Sequence, residues 1–257
     1  ILDCPAENII VGGNSSLAMM HDAFVRAYIW GTPDGFPRWQ DQGTIRFLCP
    51  TPGYDRHFLI SELFGFEMLP VEMMSTGPNM DKVESLALDP SVKGIWCVPR
   101  YSNPTGITYN DTAVERLAQM QAAPDFRIFW DNAYAEHHLV DHPTLLGNIL
   151  PTCAAADHPD RVLMFASTSK MSFAGGGVAA MGASTHNIAD ARAKIGIQTI
   201  GPDKLNQFRQ LLFFKDLNGL RGHMRAHARA RTHMRAHARA QAQSLIHNSE
   251  PTRRYAI

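Results

Sequence analysis

Long apolar runs are missing from this sequence. None approaches the roughly 20 residues needed to cross a bilayer as a helix, so no membrane partner is expected. Paired cysteines are missing as well. Cys4, Cys49, Cys97 and Cys153 lie far apart and form no C-x-x-C pair, which fits free thiols in a reducing, cytoplasmic setting. There is no excess of positive charge: 24 Lys and Arg balance 24 Asp and Glu. That balance hides an asymmetry, because from Arg221 onward there are eight Arg, no Lys and one acid, Glu250, which leaves the preceding body at a net charge of −7. An acidic body gives no support to nucleic-acid binding. An initiating Met is also lacking. The chain opens on Ile1 in mid-pattern, and we expect a fragment of a longer protein. What is present is a soluble globular composition: 257 residues, 45% hydrophobic and 19% charged, enough for one large domain or two small ones.

The informative stretch is Ser167-Thr168-Ser169-Lys170, which follows the apolar run from Arg161 to Ala166, a buried strand by its pattern. A lysine just past such a strand, among hydroxyls, can form an imine with a carbonyl compound. It can equally be a surface lysine in a loop. Upstream, Glu7–Val11 reads as a strand, Gly12-Gly13-Asn14-Ser15-Ser16 as a turn, and Leu17–Ile29 as a helix. Strand, glycine turn and helix start together present backbone N–H groups and hydroxyls to an anion such as phosphate. The alternative is a plain turn with Asn14 or Ser15 as N-cap.

Further strands are expected at Thr44–Cys49, Gly65–Glu72, Val92–Val98 and Phe126–Trp130, with Asp81 capping a short helix Lys82–Leu88 and Asn110 or Asp111 capping another that runs to about Ala122. After the first of these strands come Tyr54 and His57, either of which could stack on a flat ring. After the third comes Asn103, biased towards an extended conformation by Pro104. After the fourth come Asp131 and Tyr134. A carboxylate beside so apolar a run needs a positive partner or several donors. A glycine-rich turn, Gly175–Gly177, follows Lys170, and Gly182 ends a later strand. Strands alternate with helices, and the polar candidates all fall at strand carboxyl ends. That is an α/β fold with a doubly wound, mostly parallel sheet in three layers.

Asn103-Pro-Thr-Gly, Asp131-x-x-Tyr134 and Ser167-x-Ser-Lys170, in this order, resemble the fold-type I pyridoxal-phosphate (PLP) aminotransferases of class I/II over roughly residues 5–220. The wording of residues 50–57 and 168–178 is similar to a bacterial branch of MocR-like or aspartate aminotransferases. The resemblance implies the PLP-transferase large domain for residues 1–220, with PLP as cofactor, an amino acid and a 2-oxo acid as substrates, a homodimer at full length and no metal. It also implies roles. Lys170 would hold the cofactor and then move the substrate's α-proton, and Asp131 would pair with the ring nitrogen. Asn103 and Tyr134 would bond the ring's phenolic oxygen, with Tyr54 beside the ring. Gly13, Asn14, Ser15, Ser16, Ser167 and Ser169 would hold the phosphate.

The sequence departs from the family's pattern in places. Where many relatives carry an arginine for the phosphate, it has Val178. Thr51 is the nearest counterpart of the usual stacking aromatic, which leaves Tyr54 or His57 as substitutes. The family's N-terminal arm and C-terminal small domain, with its substrate-clamping arginine, are expected to be missing. Asp203–Leu217 still reads as a family helix.

Beyond it, His223–Ala230 recurs identically as His233–Ala240. The pairs His223/His227 and His233/His237 have metal-ligand spacing, but a tandem low-complexity copy accounts for them. Residues 221–257 are expected to be an Arg/His tail that is non-native after about Arg229, its last stretch resembling translated sequencing adapter. An alternative to the enzyme is the PLP-binding effector domain of a MocR-type transcription regulator; another PLP lyase or synthase would share every motif.

Overall fold

A computed structural model describes residues 1–138, 143–173 and 175–230 of the chain. It divides into two compact units. The first, residues 1–135 and 144–213, carries the sheet. Its strands are β1 (Ile9–Val11), β2 (Arg46–Thr51), β3 (Glu67–Met74), β4 (Gly77–Pro78), β5 (Val92–Cys97), β6 (Arg127–Asp131), β7 (Val162–Ser167) and β8 (Ala179–Ala183). Its helices are α1 (Ser16–Trp30), α2 (Asp55–Leu63), α3 (Met80–Ala87), α4 (Asp111–Gln119), α5 (Ile149–Ala155), α6 (Thr185–Gln198) and α7 (Lys204–Phe214). The strand order is β1-β8-β7-β6-β5-β2-β3-β4. The run β3-β2-β5-β6-β7 is parallel, β8 is antiparallel to both β7 and β1, and β4 is antiparallel to β3. The mixed α/β, mostly parallel expectation therefore holds.

The central strands are mostly apolar and fully buried because helices cover both faces. Side chains alternate across the sheet. On β6, Ile128 and Trp130 enter one core while Phe129 enters the other; on β7, Val162, Met164 and Ala166 face one way, Leu163 and Phe165 the other. The first core takes Val83 of α3, Leu117 of α4 and Cys153 of α5. The second takes Phe24 of α1, Ile60 of α2 and Ile188 of α6. Phe24 is fully buried and lies within 5.7 Å, centroid to centroid, of Trp39, Phe47, Phe64, Phe66, Trp96 and Phe129. That cluster fixes α1, and with it the turn that precedes the helix.

Local expectations are corrected at two places. The first strand starts at Ile9, because Ala6–Asn8 forms a 3-10 turn. Asn79, not Asp81, caps α3: its side chain accepts from the Lys82 N–H, while Asp81 is drawn to Arg116 of α4 at 2.6 Å. All four cysteines are free, and burial pushes the thiols of Cys49, Cys97 and Cys153 up to about 12, which makes them poor nucleophiles.

One charged pair lies inside the core. Lys93 on β5 meets Asp125 at 2.7 Å, both side chains no more than 5% exposed, and Gln42 donates to the second oxygen of Asp125 at 3.0 Å. Removing one partner strands the other charge. We expect Asp125→Ala to cost roughly 3–5 kcal/mol in urea unfolding, and Lys93→Met with Asp125→Leu together to cost much less.

A second polar cluster is half exposed. Ser184 Oγ donates to Asp160, and His186 Nδ1 lies 3.1 Å from Asp160 and 3.4 Å from Asp34. The bond to Asp160 raises the His186 pKa above its ordinary 6.5 despite burial. Burial works to raise Asp160, but the bonds from Ser184 and His186 outweigh it and hold the carboxyl below 3.8. Stability from His186 is thus present below pH 6.5 and lost as pH rises through its higher folded value. That from Asp160 is lost only as pH falls through its depressed one. His186→Ala should lower the urea midpoint at about pH 5.5 and leave it nearly unchanged at about pH 8.5.

In the second unit, residues 136–143 and 214 onward, residues 217–230 are helical. Arg221 reaches the buried Glu136 at 3.2 Å, and the rings of His223 and His227 stand 4.6 Å apart. The expectations placed on residues 231–257, including His233 and His237, lie outside the described residues.

Candidate active site

Four parallel neighbours, β2, β5, β6 and β7, deliver their carboxyl ends to one edge of the sheet, and β1 runs the same way. Strand order reverses between β2 and β5, the kind of place at which open α/β sheets bind ligands. Tyr54 follows β2 and Asn103 follows β5, half-buried in its turn. Asp131 ends β6, and Ser167 ends β7 with Lys170 just beyond.

Asp131 is only 5% exposed. Its Oδ1 accepts from the Ala133 N–H at 3.0 Å, and its Oδ2 lies 3.1 Å from Nε2 of His57. The buried carboxylate thus has the donors that the sequence demanded. The role considered for His57 needs correction. At 1% exposure, with its ring stacked on Trp96 at 4.7 Å, it lies within the core beside Asp131 and presents no open face for stacking a cofactor ring. Tyr54 packs edge-on against His57, centroids 5.1 Å apart. Lys170 is exposed, and its ammonium sits 4.0 Å from the centre of the Tyr134 ring and 5.7 Å from that of Tyr54, favourable cation–π geometry in the first case. Asp131, His57, Tyr54, Lys170 and Tyr134 therefore form one chain of contacts.

The phosphate candidates form a second group. Gly12 and Gly13 pair with Ala179, whose N–H bonds Gly13 O at 2.7 Å, and the Asn14 amide donates to Gly175 O at 2.7 Å. Ser167 and Ser169 both donate to the Asn14 carbonyl, at 3.1 and 2.6 Å. These bonds fasten the turn before α1 to the turn after Lys170; the Ser169 hydroxyl hydrogen goes to Asn14, while that of Ser167 is shared between Asn14 and the Ser169 oxygen, 2.9 Å away. Gly177 makes the fit possible: a Cβ there would meet the Ser169 nitrogen at 2.5 Å. Ser15 caps α1, its oxygen accepting from the Ala18 N–H at 3.2 Å, which leaves its own hydroxyl hydrogen able to donate. The remaining N–H groups of the first turn, from Ser16 on, face the helix's amino end. Val178 spends its backbone on Thr168, donating at 2.9 Å and accepting at 2.9 Å.

The contacts from α7 leave no mark in residue pattern. Gln210 donates to Gly176 O at 2.7 Å and takes the Thr168 hydroxyl at 3.0 Å, and Asn206 donates to Gly177 O at 2.6 Å. His57 did carry a signal, since it shares a helix face with the buried Ile60 and Ser61.

These residues fit pyridoxal phosphate by their chemistry. A buried carboxylate with its own donors suits a protonated ring nitrogen, an accessible amine suits a carbonyl, and a capped helix start suits a phosphate. Through its contact with Asp131, His57 would position that carboxylate. Replacing His57 by Phe should weaken PLP binding about tenfold, by loss of one charge-assisted bond to Asp131. It should also shift the pH dependence of the bound cofactor's spectrum, with His57→Asn restoring part of both. A spectrum unmoved by His57→Phe would limit the residue to packing.

Fold and edge together define an α/β domain of the transferase type with its polar candidates gathered at the strand carboxyl ends. A family model described as aspartate amino-transferase matches residues 1–246, and the chain belongs to that family. A Mycolicibacterium smegmatis protein assigned as an aminotransferase is 52% identical over 229 residues, 88% of this chain and 54% of the relative. The aspartate aminotransferase of Corynebacterium glutamicum is 45% identical, over 89% of this chain and 53% of its own length. A crystal structure of an aspartate transaminase from that organism superposes with a TM-score of 0.86 at 45% identity, covering 88% of this chain and 54% of the solved one. The α-aminoadipate aminotransferase LysN of Thermus thermophilus, at 20% identity and a TM-score of 0.67, shares the fold. The chain spans about half the length of the curated relatives it matches.

Proposed function

We propose that residues 1–220 are the cofactor-binding domain of a PLP-dependent aminotransferase, which moves an amino group from an amino acid to a 2-oxo acid. Aspartate is the donor to try first, given the name of the Corynebacterium glutamicum relative. The observation that carries this reading is the contact chain from the buried Asp131, through His57 and Tyr54, to the accessible Lys170 over Tyr134.

When bound, PLP supplies an electron sink for negative charge at the substrate's α-carbon. This chain's residues do the rest. Asp131, with the Ala133 N–H on one oxygen and His57 beside the other, would accept a hydrogen bond from the ring's N–H. Lys170 Nζ would hold the cofactor and would be the base that takes and returns the substrate's α-proton. Tyr134 would steady the lysine and, with Asn103, offer a polar group to the ring's phenolic oxygen. The first turn of α1, with Gly13, Asn14, Ser15 and Ser16, would hold the phosphate. Ser167 and Ser169 would join it by turning their hydroxyls outward. Full-length homodimers in the cytoplasm, a place in the MocR-like branch, and a non-native tail after about Arg229 belong to the same reading; the last rests on the tandem copy.

The test is steady-state transamination by the full-length parent with aspartate and a 2-oxo acid. Parallel double-reciprocal lines, the mark of ping-pong transfer, are expected. PLP binding without turnover would favour the regulator's effector domain instead.

A further inference from the structure

At the edge of the sheet away from Lys170, a cavity of about 30 Å³ lies between α1, α6 and the amino ends of β6 and β7. It has room for about two waters or one monatomic ion, and too little for a tetrahedral oxyanion. Arg26 of α1 lines it at 8% exposure. Among the described residues, the guanidinium's one side-chain hydrogen bond is to the Met181 sulfur at 3.6 Å, a weak acceptor.

The other charges lining the cavity are already matched. Arg127 gives Nη2 to Asp34 at 2.5 Å and Nη1 to the carbonyls of Pro124 and Phe126. Asp190 takes Lys194 on both oxygens, at 2.6 and 2.8 Å. Asn187 donates to Asp160 O and Ser184 Oγ. Thr32, 6% exposed, also lines the cavity, and its buried Oγ1 has no partner among the described residues.

A buried guanidinium keeps its charge, and a charge without oxygen acceptors is costly unless a counter-ion joins it. Burial works to lower the Arg26 pKa, with Asp22 and Asp190 acting at longer range against it; neither carboxylate bonds it. We propose that this cavity is a binding site for a small monovalent anion of the chloride class, held by Arg26 with the Thr32 hydroxyl as second donor. The site is separate from the crevice at the strand carboxyl ends and does not depend on the aminotransferase reading.

The experiment is thermal unfolding of the 257-residue chain at constant ionic strength, with chloride replacing gluconate, on wild type, Arg26→Met and Thr32→Val. The wild-type midpoint should rise with the logarithm of chloride concentration above Kd, by about 5 °C at a hundredfold excess. The rise should vanish in Arg26→Met and shrink in Thr32→Val. A wild type indifferent to chloride, or a full rise retained in Arg26→Met, overturns the proposal. Should Arg26→Met not fold, wild-type crystals grown in bromide decide. An anomalous peak beside Arg26 supports the site, and a cavity holding only water or a protein side chain refutes it.

Discussion

Replacing Lys170 by alanine should abolish the visible absorption band that the chain gains on covalent capture of pyridoxal phosphate, and should lower transamination by the full-length parent by about 10⁴-fold, the upper end for a positioned proton-transfer group. The expectation is specific to this lysine. It is exposed at the crevice with its ammonium 4.0 Å over Tyr134 and near Tyr54. The other lysine inside the sheet, Lys93, is buried on Asp125 and would have to break that pair to react. Lysines on the outer helices would give only a weak, non-saturable background, the same in wild type and variant. Lys170→Arg separates charge from chemistry: it keeps a cation over Tyr134 but cannot capture the cofactor covalently, so it too should lose the band. A variant that keeps a saturable band would sink the assignment. If the wild-type chain shows none, the same comparison on the full-length parent distinguishes a pocket that needs the rest of the protein from a wrong lysine.

What the sequence revealed about this site followed from local pattern. Apolar runs of strand length ending in single polar residues placed Asp131, Ser167 and Lys170 at strand ends, and the parallel sheet put those ends on one edge. The cap at Ser15 was one of two residues offered, and both stand in the same turn. The misses are long-range. Asn79 and Asp81 are equally good caps by type, and Arg116, 35 residues away, draws Asp81 aside. His57 stands among polar neighbours in Tyr54-Asp55-Arg56, and only the helical spacing to Ile60 and Ser61 hinted at burial. Arg26 is similar, sharing the inner face of α1 with Ala23 and Ala27. Gln210 and Asn206 reach the glycine turn through backbone carbonyls, which carry no trace in residue type.

Asp131→Asn should give the opposite pairing of results from Lys170→Ala: the visible band persists while turnover by the parent falls roughly 10³-fold, the cost of removing one preorganised electrostatic partner. The amide has nearly the shape of the carboxylate and can still accept from the Ala133 N–H. It carries no charge with which to keep a ring nitrogen protonated, so the cofactor is held but draws less electron density. His57 sharpens the test. Its polar contact is the 3.1 Å one with Asp131, so in the Asp131→Asn background His57→Phe should weaken PLP binding little further, although alone it weakens it about tenfold. Additive losses would mean that His57 acts on its own, through Trp96 or Tyr54. Turnover of Asp131→Asn within about threefold of wild type would remove Asp131 from the mechanism, and with it the reason for a carboxylate at the end of so apolar a strand.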